Sequence, residues 1–395
     1  MGEHALNAQK AYPMTAAVSR RSNAVRAALI VGIAAVAAML INFGPRSAAA
    51  ATQQAWPPFA LVTGLLLIGR AAAMDHVFAA AGTRVARLPG GPAVLLAASL
   101  GLVAIVTAVL NLDTAVVFLT PVLIETARAR GLDDRAFVYG TVLMSNSASL
   151  LLPGSNLTNL LVLDGSRVSG LDFARNMFAP WLVAIIVTWL LLWIVHRRRL
   201  SVGSTNGRLT PPFEGRIAVA AVAGAAGQML VLPDPAIPVL LLGLVVTLRR
   251  RFQGRLDAAS LLRTAPLSLV GLFVFAVCCG TLARLWAVPA MVIMTAGRLE
   301  TLLLGALGSL AINNLPAASL LSSHPLAHPY LLLLGLNLGP NLVITGALSA
   351  VLWLRIARQN HADVSAWMYT RLGLLVVPLS LALAAETLVL VHPAA

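Results

Sequence analysis

Uncharged amide and hydroxyl side chains gather in short stretches of this chain, each set inside an apolar run: Asn111–Thr114, Ser145–Asn159, Asn313–Pro316 and Asn337–Asn341. Asn, Ser and Thr at membrane depth supply hydrogen-bond donors and acceptors without the cost of burying a charge. A helix interrupted there also turns free N–H groups and partial positive charge inward, worth about 0.3–1 kcal/mol per end to an anion. The chemistry on offer is recognition of a small polar solute, neutral or anionic. In the first stretch the residues placed for it are Asn111 and Thr114. In the second they are Ser145, Asn146, Ser147, Ser149 and Asn156. Asn313 and Asn314 follow in the third, and Asn337, Asn341 and Thr345 in and just after the fourth. Gly/Pro kinks with helix-packing polar residues produce similar breaks. Their recurrence in matched pairs favours a central binding site.

Asp113 is the acid placed nearest the membrane midplane. Holding an ionised Asp there costs at least ~2.5–3.5 kcal/mol on insertion scales, so Asp113 reads as a proton-coupling residue. Its competing role is to cap the helix that follows. Glu386, near the end of the last apolar run, reads as structural, as do Arg298 and Glu300. Cys278 and Cys279 are adjacent, and neighbours on a helix point about 100° apart, a poor disulfide geometry. They read as small core residues. The histidines form no ligand-spaced pair, so no metal and no cofactor is expected. There is no P-loop, and Gly154-Ser155 lacks the strand–turn–helix setting of a hydrolase elbow. An enzyme, or a pump with its own ATPase, is not expected.

The elements that must position these residues are helices. Of 395 residues, 59% are hydrophobic and 11% charged, against about a quarter charged in soluble domains. The apolar runs are long enough to cross a bilayer, where every backbone polar group must be paired internally. Helices are expected over 25–43 and 57–73, then an amphipathic stretch over 74–88. A re-entrant hairpin near 92–125 has Asn111 at its tip, a broken helix spans 136–162, and a helix over 177–195 closes the first half. The second half repeats that order: helices 236–248 and 265–283, an amphipathic stretch 288–298, a hairpin near 301–322, a broken helix 330–354 and a closing helix 369–391. The expected organisation is a cytoplasmic tail (1–24), a first transmembrane repeat (25–195), a linker with one transmembrane helix (196–235) and a second, inverted repeat (236–391). Residues 1–50 superficially resemble a signal peptide, but the apolar stretch is long and more spans follow, so a retained first helix is expected. Ser145–Asn159 lies without gaps over Leu336–Ala350, with Asn146 over Asn337, and Asn111 falls over Asn313. An odd number of crossings between the repeats inverts one against the other, an architecture used by secondary transporters. The fold class is thus an all-α integral membrane protein with two re-entrant hairpins and two broken transmembrane helices. The amide tips of the two halves are expected to meet at mid-membrane around a wet cleft.

Net charge is +14, from 28 Lys and Arg against 14 acids. The basic residues flank apolar runs rather than forming one soluble patch, which argues against nucleic acid. With the N-terminus inside, they fall in cytoplasmic loops except for Arg46, Arg167, Arg175, Arg284 and the ambiguous Arg298, as the positive-inside rule requires.

Four stretches carry a family resemblance: Asn111–Val122 (NLDTAVVFLTPV), Ser145–Leu161 (SNSASLLLPGSNLTNLL), Ala311–Leu320 (AINNLPAASL) and Leu336–Leu354 (LNLGPNLVITGALSAVLWL). In these the chain resembles the arsenite permease branch of the ion transporter superfamily, over about residues 25–391. The family's Asn–Asp tip and Thr-Pro are matched by Asn111, Asp113, Thr120 and Pro121, with Leu112 inserted. Its Asn-Asn-Leu-Pro tip is matched by Asn313–Pro316. Two acids of the family pattern are replaced by Asn146 and Asn337. The resemblance implies export of arsenite or antimonite driven by the proton gradient or membrane potential, in some members with a soluble ATPase partner. An anion or dicarboxylate symporter or a sodium/proton antiporter is the alternative. Expected partners are the lipid bilayer, a small inorganic or anionic substrate and a second copy of the chain, in the inner membrane of the cell.

Overall fold

The computed structural model describes Ala38, Asn42 and residues 44–164, 168–200, 215–253 and 266–392, with side chains in the last range from Leu269 onward. The expected cytoplasmic tail, nearly all of the expected first helix and the 201–214 segment lie outside the described residues. Among the described residues the structure is helical throughout, without a strand. The first long helix, α1 (Pro45–Met74), is followed by the short α2 (Val77–Ala86). Next come α3 (Pro92–Val109) and α4 (Leu112–Ala129), then α5 (Arg135–Ala148), a 3-10 turn at Pro153–Ser155 and α6 (Leu157–Val162). α7 (Gly170–His196) closes the first half, and α8 (Arg216–Val231) and α9 (Ala236–Phe252) lead into the second. That half continues with α10 (Pro266–Leu285), α11 (Val288–Thr295), α12 (Arg298–Ile312) and α13 (Asn314–Leu321). α14 (Pro329–Leu338), two 3-10 turns at Gly339–Leu342 and Ile344–Gly346, α15 (Leu348–Gln359) and α16 (Ala366–Val391) complete it.

Four of these helices (α1, α3, α7 and α16) are each long and apolar enough to cross a membrane, and a bent pair from α10 and α11, at 78°, makes up to five. Several helices run past the apolar windows that reveal them. α1 begins at Pro45 rather than 57, and α7 at Gly170 rather than 177. Polar residues at a helix end keep their i→i−4 bonds after hydropathy has fallen, so the apolar run marks the lipid depth and not the helix.

Hydrogen bonds at the helix ends sort the chain into two faces. At the first face Arg130 donates to the carbonyls of Ala86 at 2.6 Å, Leu88 at 3.2 Å and Gly90 at 3.2 Å, which brings both ends of the α3–α4 hairpin together. Arg128 reaches the carbonyls of Asn360 and His361, both at 3.1 Å, and Arg135 pairs with Asp363. Arg250 and Asp75, both buried, form a two-pronged ion pair between the ends of α1 and α9. At the second face Gln54 donates to the carbonyls of Leu161 and Ser322, both at 3.1 Å, and accepts from Arg284 at 2.9 Å. Asn176 donates to the Tyr330 hydroxyl at 2.9 Å.

The α5–α6 segment therefore runs from the first face at Arg135 to the second at Leu161. α14–α15 runs the other way, from Tyr330 to His361. The α3–α4 hairpin opens to the first face, and α12–α13 ends at the second. The halves are inverted. They also exchange partners: α4 packs on α15 of the second half, and α13 packs on α6 of the first. The closing helices α7 and α16 pack on each other.

Candidate functional site

Both interrupted helices stop for local reasons. Pro153 and Pro340 have no N–H to donate to a helical ladder, and each stands in a 3-10 turn. After the first break Asn156 restarts the helix as an N-cap, its side chain accepting from Thr158 N at 3.2 Å. Carbonyls freed at the breaks are met by long donors from the closing helices. Trp181 Nε1 donates to Ala148 O at 3.1 Å, and the Tyr369 hydroxyl to Pro340 O at 3.1 Å. The backbone of α16 comes close enough at Gly373 that any Cβ there would collide with Asn341 O.

The breaks meet in an amide core. Asn146 Nδ2 donates to Asn341 Oδ1 at 2.8 Å. Asn337 Oδ1 accepts from Ser149 Oγ at 2.6 Å and Asn156 Nδ2 at 2.6 Å. Asn337 Nδ2 donates to Asn159 Oδ1 and Leu333 O, both at 2.8 Å. Asn341 Nδ2 reaches Leu143 O at 3.0 Å and Ser147 Oγ at 3.4 Å, and Ser147 bonds to Thr188 on α7 at 2.8 Å. Asn159 Nδ2 and Ser155 Oγ both donate to Ser149 O. Asn146, Ser149, Asn159, Asn337 and Asn341 are fully buried.

Asn146 and Asn337 are counterparts in the sequence repeat, and each bonds across to the other half: Asn146 to Asn341, four beyond Asn337, and Asn337 to Ser149, three beyond Asn146. The two contacts are one residue out of strict two-fold register, in which Asn341 answers to Leu150 and Ser149 to Pro340. Thr158 and Ser349 are counterparts too, at the second position of each restarted helix. Both hydroxyls are buried without a hydrogen-bond partner, as is Asn146 Oδ1.

The hairpin tips stand apart from this core in their bonding. Asn111 is the N-cap of α4, its side chain accepting from Thr114 N at 2.7 Å, so the capping role falls to Asn111 rather than Asp113. Asn111 Nδ2 and Thr114 Oγ1 are buried and unpartnered. Asp113 is half-buried in the first turn of α4. Asn313, with φ of 80°, donates to Thr345 O at 3.0 Å; it thus touches the second break through backbone, while the Thr345 side chain is exposed. Asn314 is buried beside it at the start of α13. Ser145 Oγ is spent on Val142 O. The two breaks thus come together, the second hairpin tip joins the second break through Asn313 and Thr345 O, and the first hairpin tip keeps Asn111 Nδ2 and Thr114 Oγ1 buried without a partner. The amides pack by bonding one another.

Asn159, Ser155, Thr188, Trp181 and Tyr369 belong to this construction and were not singled out by the sequence. Asn159 and Ser155 lie inside the repeated stretch, and a polar side chain at each position was the available signal. Of the other polar residues, Glu300 accepts from Gly297 N at 2.8 Å and caps α12, while Glu386 is exposed. Cys278 and Cys279 are free thiols on α10. No group of three or more metal-ligating side chains occurs among the described residues.

A buried set of uncharged amides and hydroxyls, in which Asn146 Oδ1 and the Thr158 and Ser349 hydroxyls are still unpaired, can orient a small polar solute where a lone charge would be expensive. Comparisons with known proteins agree with a membrane carrier. The chain is 25% identical over 312 residues to an arsenical pump membrane protein of Escherichia coli, covering 69% of this chain and 71% of that one. It is 24% identical over 310 residues to the arsenical pump membrane protein of Yersinia enterocolitica, with the same coverage. The crystal structure of the Alcanivorax borkumensis YdaH transporter, described as having an unusual topology, shares the fold at a TM-score of 0.59, with 14% identity and 88% of each chain covered. The family model described as "Citrate transporter" matches residues 14–352, and the chain belongs to that family of multi-pass membrane transporters.

Proposed function

We propose that the chain is a secondary active transporter that exports arsenite- or antimonite-like metalloid species, driven by the proton gradient or the membrane potential. The observation that carries this reading is the joint amide core. Two inverted halves place an uncharged constellation at the breaks of both interrupted helices, suited to a neutral polyhydroxy solute. Likeness to the arsenical pump membrane proteins supports the same substrate class. The substrate-binding set consists of Asn146, Ser147, Ser149, Asn156, Asn337 and Asn341 at the core, with Ser145 behind it. Asn111, Thr114, Asn313, Asn314 and Thr345 flank it at the hairpin tips. Asp113 carries the coupling proton. In this reading the protein lies in the inner membrane with its N-terminus cytoplasmic and the arginine-rich first face on the cytoplasmic side, the orientation that the positive-inside rule favours. A soluble ATPase and a second copy of the chain are the protein partners of this reading.

Expression in an arsenite-sensitive host without its own pump tests the assignment. Resistance with reduced cellular arsenic is expected, and an unprotected host expressing the folded protein would end the metalloid reading. The family match favours a second reading, carriage of citrate or another carboxylate, with the inward helix ends at the breaks serving the anion. Uptake of labelled citrate into vesicles, without arsenite transport, would select it.

A further inference from the structure

Two cavities adjoin on the second face, outside the amide core. One, of about 570 Å³, is lined in part by Gln53, Gln54, Trp56, Asp164, Asp234 and Ala236. The other, of about 150 Å³, shares Asp164 and Asp234 with it and is lined further by Leu61, Pro153, Gly154, Met229 and Pro233. They lie between α1 with the α8–α9 turn on one side and the first break on the other. The inner cavity ends against Pro153 and Gly154. Gly154 adjoins Ser155, which bonds Ser149 O, and stands two residues from Asn156, which bonds Asn337.

At that inner end the packing is tight. A Cβ on Gly154 would collide with Met229 Sδ and with Leu61 Cδ2, so those two side chains close over the glycine. Met229 is 2% exposed and sits near the end of α8. An unbranched thioether with three rotatable bonds can swing aside without moving the backbone, which a branched or aromatic plug cannot do as cheaply.

We propose that Met229 is the gate between the second-face cavities and the amide core, and that the cavities form the second-face mouth of the solute path. The path runs from the opening beside Asp164 and Asp234, along Pro153 and Gly154, past Met229 and Leu61, to Ser155 and the amides bonded behind it. Gly154 is small because the gate rests on it. This deepens the transport reading at the same site and rests on it only for the identity of the solute.

The test uses the full chain in vesicles with Cys278→Ser and Cys279→Ser as background, and a small membrane-impermeant thiol reagent added from each side in turn. Pro153→Cys, on the cavity wall, is expected to react from the second face. Ser155→Cys, behind the gate, is expected to react about tenfold faster when combined with Met229→Ala than with Met229 in place, as a shifted open population requires. Equal Ser155→Cys rates in the two backgrounds overturn the proposal, as does Pro153→Cys reacting only from the first face. Where Ser155→Cys fails to fold, Met229→Cys gives the second measurement. Its modification from the second face is expected to stop arsenite flux, and modification with flux intact overturns the gate. If the unmodified protein carries no arsenite, the substrate assignment fails while the accessibility result still decides the gate.

Discussion

The two breaks share a backbone device and divide its side-chain work unequally. To the bonded core the first contributes Asn146, Ser147, Ser149, Ser155, Asn156 and Asn159, and the second Asn337 and Asn341. Asn337 is saturated: its oxygen accepts two bonds and its nitrogen donates two. Asn146, its counterpart, makes one bond across the halves and keeps a buried oxygen without a partner. Inverted repeats thus fix where the polar groups meet, while unequal sequences decide which group holds the halves together and which keeps an unpaired acceptor.

Substitution at the saturated side should do the most damage. Asn337→Leu strands Asn156 Nδ2 and Asn159 Oδ1, while Ser149 keeps its bond to Asn146 O, and each buried group left unpaired costs about 1–3 kcal/mol. The expected result is little folded protein, read as loss of a monodisperse peak after detergent extraction. A well-behaved Asn337→Leu protein would break the contrast at its root. Asn337→Asp is gentler, because the protonated carboxyl that this buried site enforces still accepts from Ser149 and Asn156 and donates once, to Asn159 or Leu333. A loss of about 1–3 kcal/mol is expected, seen as a lower thermal aggregation temperature.

At the unsaturated side function and stability should separate. Asn146→Ala removes a single inter-half bond, so a stability loss of about 1 kcal/mol is expected together with loss of transport. Transport that survives with its affinity unchanged would remove Asn146 from the binding set. Asp113→Asn keeps shape and half-burial, and its stability should move by less than about 0.5 kcal/mol. Its signature is loss of the pH dependence of flux in vesicles, so an unaltered pH profile takes Asp113 out of coupling. The smallest effect is expected at the unpartnered counterparts Thr158 and Ser349. Thr158→Val and Ser349→Ala break no hydrogen bond to the core, and melting within error of the parent is the expected outcome.

Much of this architecture could be read from the sequence because lipid imposes a strict rule on backbone. An apolar run must be helical, so Pro153-Gly154 and Gly339-Pro340 within such runs had to be breaks, and Asn111 and Asn313 had to be tips. Arginine placement set the turns of the hairpins, and Arg130, Arg128 and Arg135 do gather at one face. Pairing across the halves was less accessible. That Asn146 would meet Asn341 rather than Asn337 depends on the distance between the helices, which periodicity does not encode. Nor did spacing reveal that the Trp181 and Tyr369 donors would reach back to the freed carbonyls, since aromatic residues in an apolar helix look alike whether they face lipid or protein. At the joined breaks the amides bond one another across the halves, a pairing that composition alone does not show.

Arg130 has a consequence for the conditions under which this molecule keeps its shape. Its guanidinium holds three carbonyl oxygens at once, and carbonyls, unlike carboxylates, bring no counter-charge for dissolved ions to compete with. A lysine could satisfy the charge but not the fan of acceptors. The mouth of the first hairpin should therefore stay shut at ionic strengths that dissolve ordinary surface ion pairs, whatever the composition of the solution bathing that side.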